Sequence, residues 1–312
     1  MSFEDQILPL DPRPRELCLD HLPRTPKIFA RALMLAPFRG RSPKAGKPVP
    51  AGRIVLNGLH PDPETLAGYR KVCGFDTDSQ APLPPTYLQT LFVGLLGKYI
   101  VSPLFPITPL GLIQTGQSLR QTRPVMPDEI LDLSCSLLDM TQKEKGLETR
   151  FLLEITIQGE LVWQGISTYF TRNGGGGKGK KASAEDLILS PRQIFKVPGN
   201  TGRCYAKASG DMNPHHLYAF TAKFFGFKQP IAHGMWSLGR ALAGITREMN
   251  PAFPITVEAG LKLPVFMPAT LALGWDEIPE VEGEKSGLRR LNFEIRDRHS
   301  HLPHLKGQCS FT

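Results

Sequence analysis

The sequence repeats itself at long range, which limits the chain to folds made of two similar halves. Four segments of the first half recur in the same order in the second half, at offsets of 136, 147, 148 and 141 residues. The pairs are Tyr69–Gly74 with Tyr205–Gly210, Pro84–Leu91 with Ile231–Leu238, Phe105–Thr108 with Phe253–Thr256, and Val125–Pro127 with Phe266–Pro268. One such match could arise by chance, whereas four in one order indicate a duplicated domain.

Each half has the same predicted order of elements: a short helix with a turn, a long apolar helix, and then three or four strands. The long helices are predicted near Thr86–Ile100 and near His233–Met249. Alternating apolar and polar residues predict strands at Leu131–Leu137, Arg150–Ile157 and Arg289–Arg296. Glycines interrupt both long helices, at positions 94, 97, 239 and 244, which makes sense if a sheet wraps closely around each helix. The predicted fold is α+β, with two tandem hot-dog domains, each a curved antiparallel sheet around a long central helix.

The repeat also sets the predicted domain boundaries. Residues 1–45, rich in Pro and Arg, form an N-terminal extension, residues 46–172 the first hot-dog domain, and residues 186–312 the second. Between them lies a Gly/Lys-rich segment, residues 173–185, which is typical of a solvated linker. A phosphate cradle is less favoured, because the segment does not follow a strand and lead into a helix as a P-loop does.

Composition narrows the classes of function. The net charge of +8, from 37 Lys and Arg against 29 Asp and Glu, suits a phosphorylated ligand or an acidic carrier protein. The chain has no zinc-finger or RNA-binding signature, so we expect no nucleic-acid partner. Its start lacks the pattern of a signal peptide, and its longest apolar stretch, Leu91–Ile100, is too short to span a bilayer. Five widely spaced cysteines indicate neither a metal site nor a disulfide framework, so a cytoplasmic protein is predicted.

The halves differ in one segment, which contains the residues suited to acid–base chemistry. The offset grows from 136 to 147 between the first helix and the central helix, so the second half has 11 extra residues there, within residues 211–227. They include Asp211, His215 and His216, whereas no histidine occurs between His60 and His215. We therefore predict one active site, in the second half.

Local sequence predicts a helix in this segment, because Asn213 is a favoured N-cap and is followed by a proline. Asp211 then lies just before the helix and His216 in its first turn, where the helix dipole favours an ionised carboxylate and a neutral imidazole. Such a pair can hold one water and move protons near neutral pH. The alternative is that Asp-x-Asn-Pro is only a helix cap and that the histidines are surface residues. The apolar side of the predicted helix would include Leu217, Phe220 and Phe224.

His215 is expected to face away from Asp211, because adjacent helical residues point about a hundred degrees apart. A metal site formed by His215, His216 and His233 is disfavoured, since adjacent histidines rarely bind one ion together. We predict no metal and no cofactor.

The residues Tyr205–His216, followed by Ile231–Met235, resemble the motif of the MaoC-like (R)-specific enoyl-CoA hydratase family. The two-half layout looks like the longer members of that family, in which one half keeps the catalytic loop and the other helps to house the acyl chain. The resemblance implies that Asp211 and His216 are the catalytic pair and that Asn213 orients them. It also implies that the backbone N–H of Gly234 stabilises a developing enolate at the N-terminus of the central helix. Substrate-binding residues would be His233 and Met235, and this chain departs from the family at His215, where an aliphatic residue is usual.

The resemblance implies a hydro-lyase that hydrates 2-enoyl thioesters or dehydrates (R)-3-hydroxyacyl thioesters, carried by coenzyme A or an acyl-carrier protein. It implies no cofactor, and the sequence leaves a homodimer open. Two alternatives have the same fold: a non-catalytic acyl-thioester binding subunit and a hot-dog thioesterase. The intact Asp–Asn–His set argues against the first, and the placement of the carboxylate argues against the second.

Overall fold

The computed structural model describes residues 6–13, 15–23, 25–44, 48–172, 189–279 and 287–312. The helices are α1 (Thr25–Leu35), α2 (Pro63–Cys73), α3 (Pro85–Thr90), α4 (Val93–Ile100), α5 (Thr201–Ser209), α6 (Ala219–Phe224) and α7 (Gly234–Met249), with short 3-10 helices at Ala36–Phe38 and Pro214–His216. The strands are β1 (Gln6–Ile7), β2 (Arg15–Leu19), β3 (Gly52–Leu59), β4 (Ile113–Gln121), β5 (Leu131–Lys143), β6 (Gly146–Ile157), β7 (Glu160–Arg172), β8 (Pro191–Val197), β9 (Ile255–Leu261), β10 (Ala269–Glu277), β11 (Arg289–Asp297) and β12 (Pro303–Phe311).

The strands of these described ranges form one 12-stranded sheet, whose order displays the duplication. The path runs β2-β3-β5-β6-β7-β4-β9-β12-β11-β10-β8, with β1 paired to β5. The five strands β3-β5-β6-β7-β4 of the first half therefore have the same order as β8-β10-β11-β12-β9 of the second. The halves join where β4 and β9 pair antiparallel, from Gly116 opposite Gly260 to Gln121 opposite Ile255. The predicted α+β architecture of two similar halves is confirmed.

The central helices differ between the halves. In the second half, α7 is one helix of 16 residues that packs against β10, β11 and β12. In the first half, the predicted single helix is two helices, α3 and α4, separated at Leu91 and Phe92. The interruption coincides with Phe92, which is fully buried and stacks on Trp163 at 5.6 Å between ring centroids. The helical pattern of the sequence continues through this position and does not mark the break.

The first helices of the two halves, α2 and α5, pack against each other. Tyr69 and Tyr205, which are equivalent in the repeat, meet there with their ring centroids 5.8 Å apart. Each helix ends at a glycine in the left-handed conformation, Gly74 at φ 82° and Gly210 at φ 75°. The left-handed residue ends the helix because it turns the chain out of the helical path. The residue after the second of these turns is Asp211.

Most glycines of the central helices pack against segments other than the predicted sheet. A methyl group at Gly94 would come within 2.9 Å of the Pro23 carbonyl oxygen, and one at Gly97 within 2.9 Å of the Ile28 side chain. At Gly239 the neighbour is the Tyr69 hydroxyl of α2, at 2.7 Å. Only Gly244 faces the sheet, where Leu273 of β10 lies 2.7 Å from such a methyl. The prediction of close wrapping by a sheet was therefore wrong for the other three positions.

The predicted N-terminal extension packs onto the first half. β2 pairs in parallel with β3, and α1 lies against α4. The predicted linker, residues 173–185, lies outside the described residues, and the predicted domain boundaries stay predictions. In the part of the chain that the structure describes, no helix is both long enough and apolar enough to cross a membrane.

Candidate active site

A short loop after α5 holds the predicted carboxylate. The backbone N–H of Asp211 donates to Ser209 Oγ at 3.2 Å. Asp211 Oδ1 in turn accepts from the backbone N–H and from the side-chain Nδ2 of Asn213, at 3.2 and 2.7 Å. Asn213 thus fixes the rotation of the carboxylate, the contact expected of a residue that orients it.

The prediction of a helix that begins after Asn213 was wrong, both for the residue at which the helix begins and for its apolar face. Residues 214–216 form one 3-10 turn, and α6 begins only at Ala219, after the extended Tyr218. The Asn213 side chain makes no capping bond, and its Nδ2 donates to Asp211 instead. Phe220 and Phe224, placed on the apolar side of the predicted helix, are 66% and 87% exposed. A three-residue turn aligns few peptide dipoles, so the helix-dipole argument for Asp211 and His216 does not apply.

Burial, rather than a helix dipole, keeps His216 neutral. The side chain is only 8% exposed, and its Nδ1 lies 2.7 Å from the carbonyl oxygen of Ile231. Because a carbonyl oxygen only accepts, Nδ1 carries the proton and Nε2 of the neutral ring is a bare acceptor. Burial, with the neighbouring His233 and His215 rings, holds the pKa of His216 well below its usual 6.5. His216 is therefore an unprotonated base at neutral pH.

His233 stacks on His216 and contacts Asp211. The two imidazole rings are 3.6 Å apart between centroids and 26° from parallel. His233 Nε2 donates to the backbone oxygen of Asp211 at 3.0 Å and lies 3.9 Å from its Oδ2. Burial lowers the pKa of His233 to about 3, so its contact with the carboxylate is not an ion pair. This places Asp211, His216 and His233 in one compact group.

His215 packs between the His216 ring and two phenylalanine rings. Its ring is 4.0 Å from that of His216, and 5.3 and 5.8 Å from the rings of Phe225 and Phe227. Burial lowers its pKa, and its Nδ1 has no hydrogen-bond partner among the described residues. The aromatic surroundings suit the neutral ring.

Two backbone features that hold His216 were missed by sequence reasoning. A methyl group at Gly202 of α5 would collide with the backbone oxygen of His216, so only glycine lets the 3-10 turn pack this closely. Two backbone bonds fix the Ile231 carbonyl that His216 contacts: Ile231 N donates to His215 O at 3.2 Å, and Ala232 N donates to Val265 O at 2.8 Å. A glycine near the start of a helix was the available signal for the first. The second depends on tertiary pairing, which the sequence pattern does not display.

The N-terminus of α7 lies next to this group. His233 is the residue before the helix, and its side chain makes no capping bond. The first intrahelical bond there runs from Ser237 N to His233 O at 3.2 Å, so the N–H groups of Gly234 and Met235 have no acceptor within the helix. A methyl group at Gly234 would collide with the Leu261 side chain of β9. The predicted oxyanion donor therefore sits in a tightly packed position.

The described residues of the first half contain no equivalent group. At the offset of 147, His233 corresponds to Thr86 and Gly234 to Tyr87, which is buried and lies 3.3 Å from Thr65 Oγ1. Its loop after α2 is braced instead by the buried Arg70, which donates to the carbonyl oxygens of Asp76, Ala81 and Pro82 at 3.1, 2.6 and 3.0 Å. The loop of the first half is thus held by an arginine of α2 and contains no imidazole.

The same side chains could also meet the geometry of a metal site. Ligand atoms of Asp211, His216 and His233 lie within 4.8 Å of one another. His216 Nδ1 and His233 Nε2 are occupied by backbone carbonyl oxygens, which leaves one nitrogen on each ring for any ion. The prediction that the site uses no metal stays a prediction.

Comparisons with known proteins agree with the predicted family. Residues 191–276, which include all the predicted site residues, match the model of the MaoC like domain. The chain is 27% identical over 240 residues to 3-hydroxyacyl-thioester dehydratase X of Mycobacterium tuberculosis, covering 73% of this chain and 84% of that protein. It is 27% identical over 192 residues to a peroxisomal enoyl-CoA hydratase 2 of Arabidopsis thaliana, covering 56% of this chain and 62% of that protein.

The fold agrees as well. The crystal structure of HtdX of Mycobacterium tuberculosis superposes with a TM-score of 0.68 at 22% identity, covering 82% of this chain and 98% of that one. The predicted hot-dog fold and the predicted resemblance are both confirmed.

Proposed function

We propose that this chain, which carries a MaoC-like domain at residues 191–276, is a hydro-lyase that adds water to 2-enoyl thioesters or removes it from (R)-3-hydroxyacyl thioesters. The observation that carries the proposal is the pairing of a neutral imidazole with an oriented carboxylate. His216 keeps a bare Nε2, Asp211 is fixed by Asn213, and both lie beside the N-terminus of α7. Two of the named relatives are a dehydratase and an enoyl-CoA hydratase, and both reactions are the same addition or elimination of water.

In the hydration direction, Asp211 and His216 hold one water between them. A proton passes from the water to one member of the pair as the oxygen bonds to C3 of the enoyl group, and the electrons of the double bond move toward the thioester carbonyl. The same member then returns that proton at C2, which restores the pair. General acid–base catalysis of this kind contributes roughly 10²–10⁴ in rate. The neutral state of His216 lets the pair begin this cycle at neutral pH.

The thioester oxygen gains negative charge during this step. The uncapped N–H groups at the start of α7, above all that of Gly234, suit a developing enolate because the helix N-terminus carries partial positive charge. His233 shapes this turn through its bond to the Asp211 backbone oxygen, and the buried Met235 follows it. We propose that both residues also bind the substrate, since they lie at the helix start where its thioester oxygen would sit.

The proposal includes the nature of the partners. The net charge of +8 suits the phosphates of coenzyme A or an acidic acyl-carrier protein. We place the protein in the cytoplasm, with no nucleic-acid partner, and leave a homodimer as the assembly to be measured.

The test is a spectrophotometric assay of the purified chain. Loss of enoyl-thioester absorbance is followed across a panel of trans-2-enoyl-CoA chain lengths, and the chirality of the 3-hydroxyacyl product is determined. We expect hydration of at least one chain length with an (R) product, abolished in His216→Gln. Thioester binding without turnover across the panel would support the binding-subunit alternative. Release of free thiol would support a thioesterase.

A further inference from the structure

The N-terminal segment touches the catalytic loop at one point. Thr25, the first residue of α1, donates its Oγ1–H to the backbone oxygen of Gly210 at 2.7 Å. Gly210 is the left-handed turn residue after α5, and Asp211 follows it directly. The bond spans 185 residues of sequence and joins Thr25, outside the segment that matches the family model, to Gly210, inside it.

The equivalent turn in the first half also accepts a side-chain hydrogen bond, which comes from the central helix of the second half. The backbone oxygen of Gly74 accepts from Arg247 Nη2, in the last turn of α7, at 2.6 Å. At the offset of 147 between the central helices, Arg247 corresponds to Ile100 of α4, which has no side-chain donor. Ile100 therefore cannot hold Gly210 as Arg247 holds Gly74. Thr25 of the extension supplies the missing donor.

The extension is fitted to the first half closely enough to place Thr25. Gly94 and Gly97 of α4 give room to the Pro23 carbonyl and the Ile28 side chain, on either side of Thr25 in the sequence. Arg39, beyond α1, donates to the carbonyl oxygens of Ile100 and Ser102 at 3.1 and 2.8 Å. The N-terminal segment is thus anchored before and after α1. This holds the Thr25 hydroxyl at a fixed distance from Gly210.

We propose that Thr25 is a positioning residue for the proposed hydro-lyase reaction: its hydroxyl fixes the Gly210 turn and thereby the direction in which Asp211 projects. The proposal rests on the function proposed above. A peptide plane that pivots at Gly210 would rotate the Asp211 backbone, which also accepts the bond from His233. A displacement of the carboxylate by about 1 Å can reduce turnover by up to about 10² without loss of substrate binding.

The test compares Thr25→Val, Thr25→Ser and the matched control Arg247→Gln, which alters the equivalent bond at the non-catalytic turn. We expect Thr25→Val to lower kcat roughly tenfold with KM within about twofold, Thr25→Ser to retain kcat within about twofold, and Arg247→Gln to match wild type. Melting temperatures of all three are recorded. If Thr25→Val fails to fold, Thr25→Ala takes its place.

Hydrogen exchange gives a second readout that does not need activity. Peptides covering residues 210–217 should exchange faster in Thr25→Val and not in Arg247→Gln, because His216 N and Leu217 N form the bonds of the 3-10 turn. Wild-type kcat and exchange in Thr25→Val would overturn the proposal, as would an equal loss of kcat in Thr25→Ser. A wild-type chain inactive on every thioester would refute the proposed function, while the exchange result would still decide the role of Thr25.

Discussion

The buried histidines should make this protein sensitive to mild acid, and His233 is the residue that tests this most cleanly. Burial lowers its pKa from 6.5 to about 3. Between those two pH values the unfolded chain binds a proton at His233 that the folded protein does not bind. Stability is therefore complete above pH 6.5 and falls as the pH is lowered toward 3. For one histidine kept neutral, the loss between pH 7 and pH 5 is about 2 kcal/mol.

The variant His233→Gln removes the titration but keeps a side-chain N–H that can reach the Asp211 backbone oxygen. Urea unfolding at pH 7 and pH 5, followed by tryptophan fluorescence, gives the free energy of unfolding for wild type and variant. The variant should lose about 2 kcal/mol less than wild type between the two pH values, whatever its stability at pH 7. The matched control His60→Gln, at an exposed histidine, should lose as much as wild type. Equal losses in wild type and His233→Gln would refute the conclusion that burial keeps this ring neutral.

Two further predictions concern the residues around His216. His216→Leu should abolish turnover while thioester binding survives, whereas His215→Leu should keep most turnover and shift the preferred acyl chain. Kinetics on the enoyl-CoA panel test this. The reverse pattern would assign the role of the base to His215. Gly202→Ala should destabilise the protein by about 1–3 kcal/mol and lower kcat, because the added methyl meets the His216 backbone. Gly199→Ala, where a methyl would meet nothing within 4 Å, is its control, and equal behaviour of the two variants in unfolding and turnover would contradict the packing argument.

The repeat predicted the architecture well, because it is a property of the whole chain. Four matches in order predict two halves, and the identical strand orders of the halves bear this out. Strands predicted from alternation, such as Leu131–Leu137, lie within observed strands, since a sheet with one buried face imposes a period of two.

Local helix signals were less reliable. Asn213 followed by proline is a strong helix start by its residue types, yet its amide is bonded to Asp211 and the chain makes only a 3-10 turn. An asparagine side chain can bond to a neighbouring side chain without capping a helix, and the sequence does not say which partner it takes. The first central helix was likewise predicted as one element, although burial of Phe92 coincides with its break.

The residues of the candidate site were predictable from the sequence, but the cause of the lowered pKa of His216 was not. The motif brings together Asp211, Asn213, His216 and His233, as the structure does. A helix dipole at the 214–216 turn does not explain the neutrality of His216, whose pKa is lowered by burial and by the charges of the neighbouring His233 and His215 when protonated. The contact of Thr25 with Gly210 joins segments far apart in the chain, and no local pattern marks it.

The measurement that tests the central claim most directly is a double-mutant cycle on enoyl-CoA hydration, with Asp211→Asn, His216→Gln and the combined variant. Asp76→Asn, the counterpart in the first half, is the control. If the two residues hold one shared water, each single variant lowers kcat by roughly 10²–10⁴, the combined variant is no worse than either, and Asp76→Asn stays within about threefold of wild type. Losses that multiply in the combined variant, or a large loss in Asp76→Asn, would contradict a single site built on Asp211 and His216.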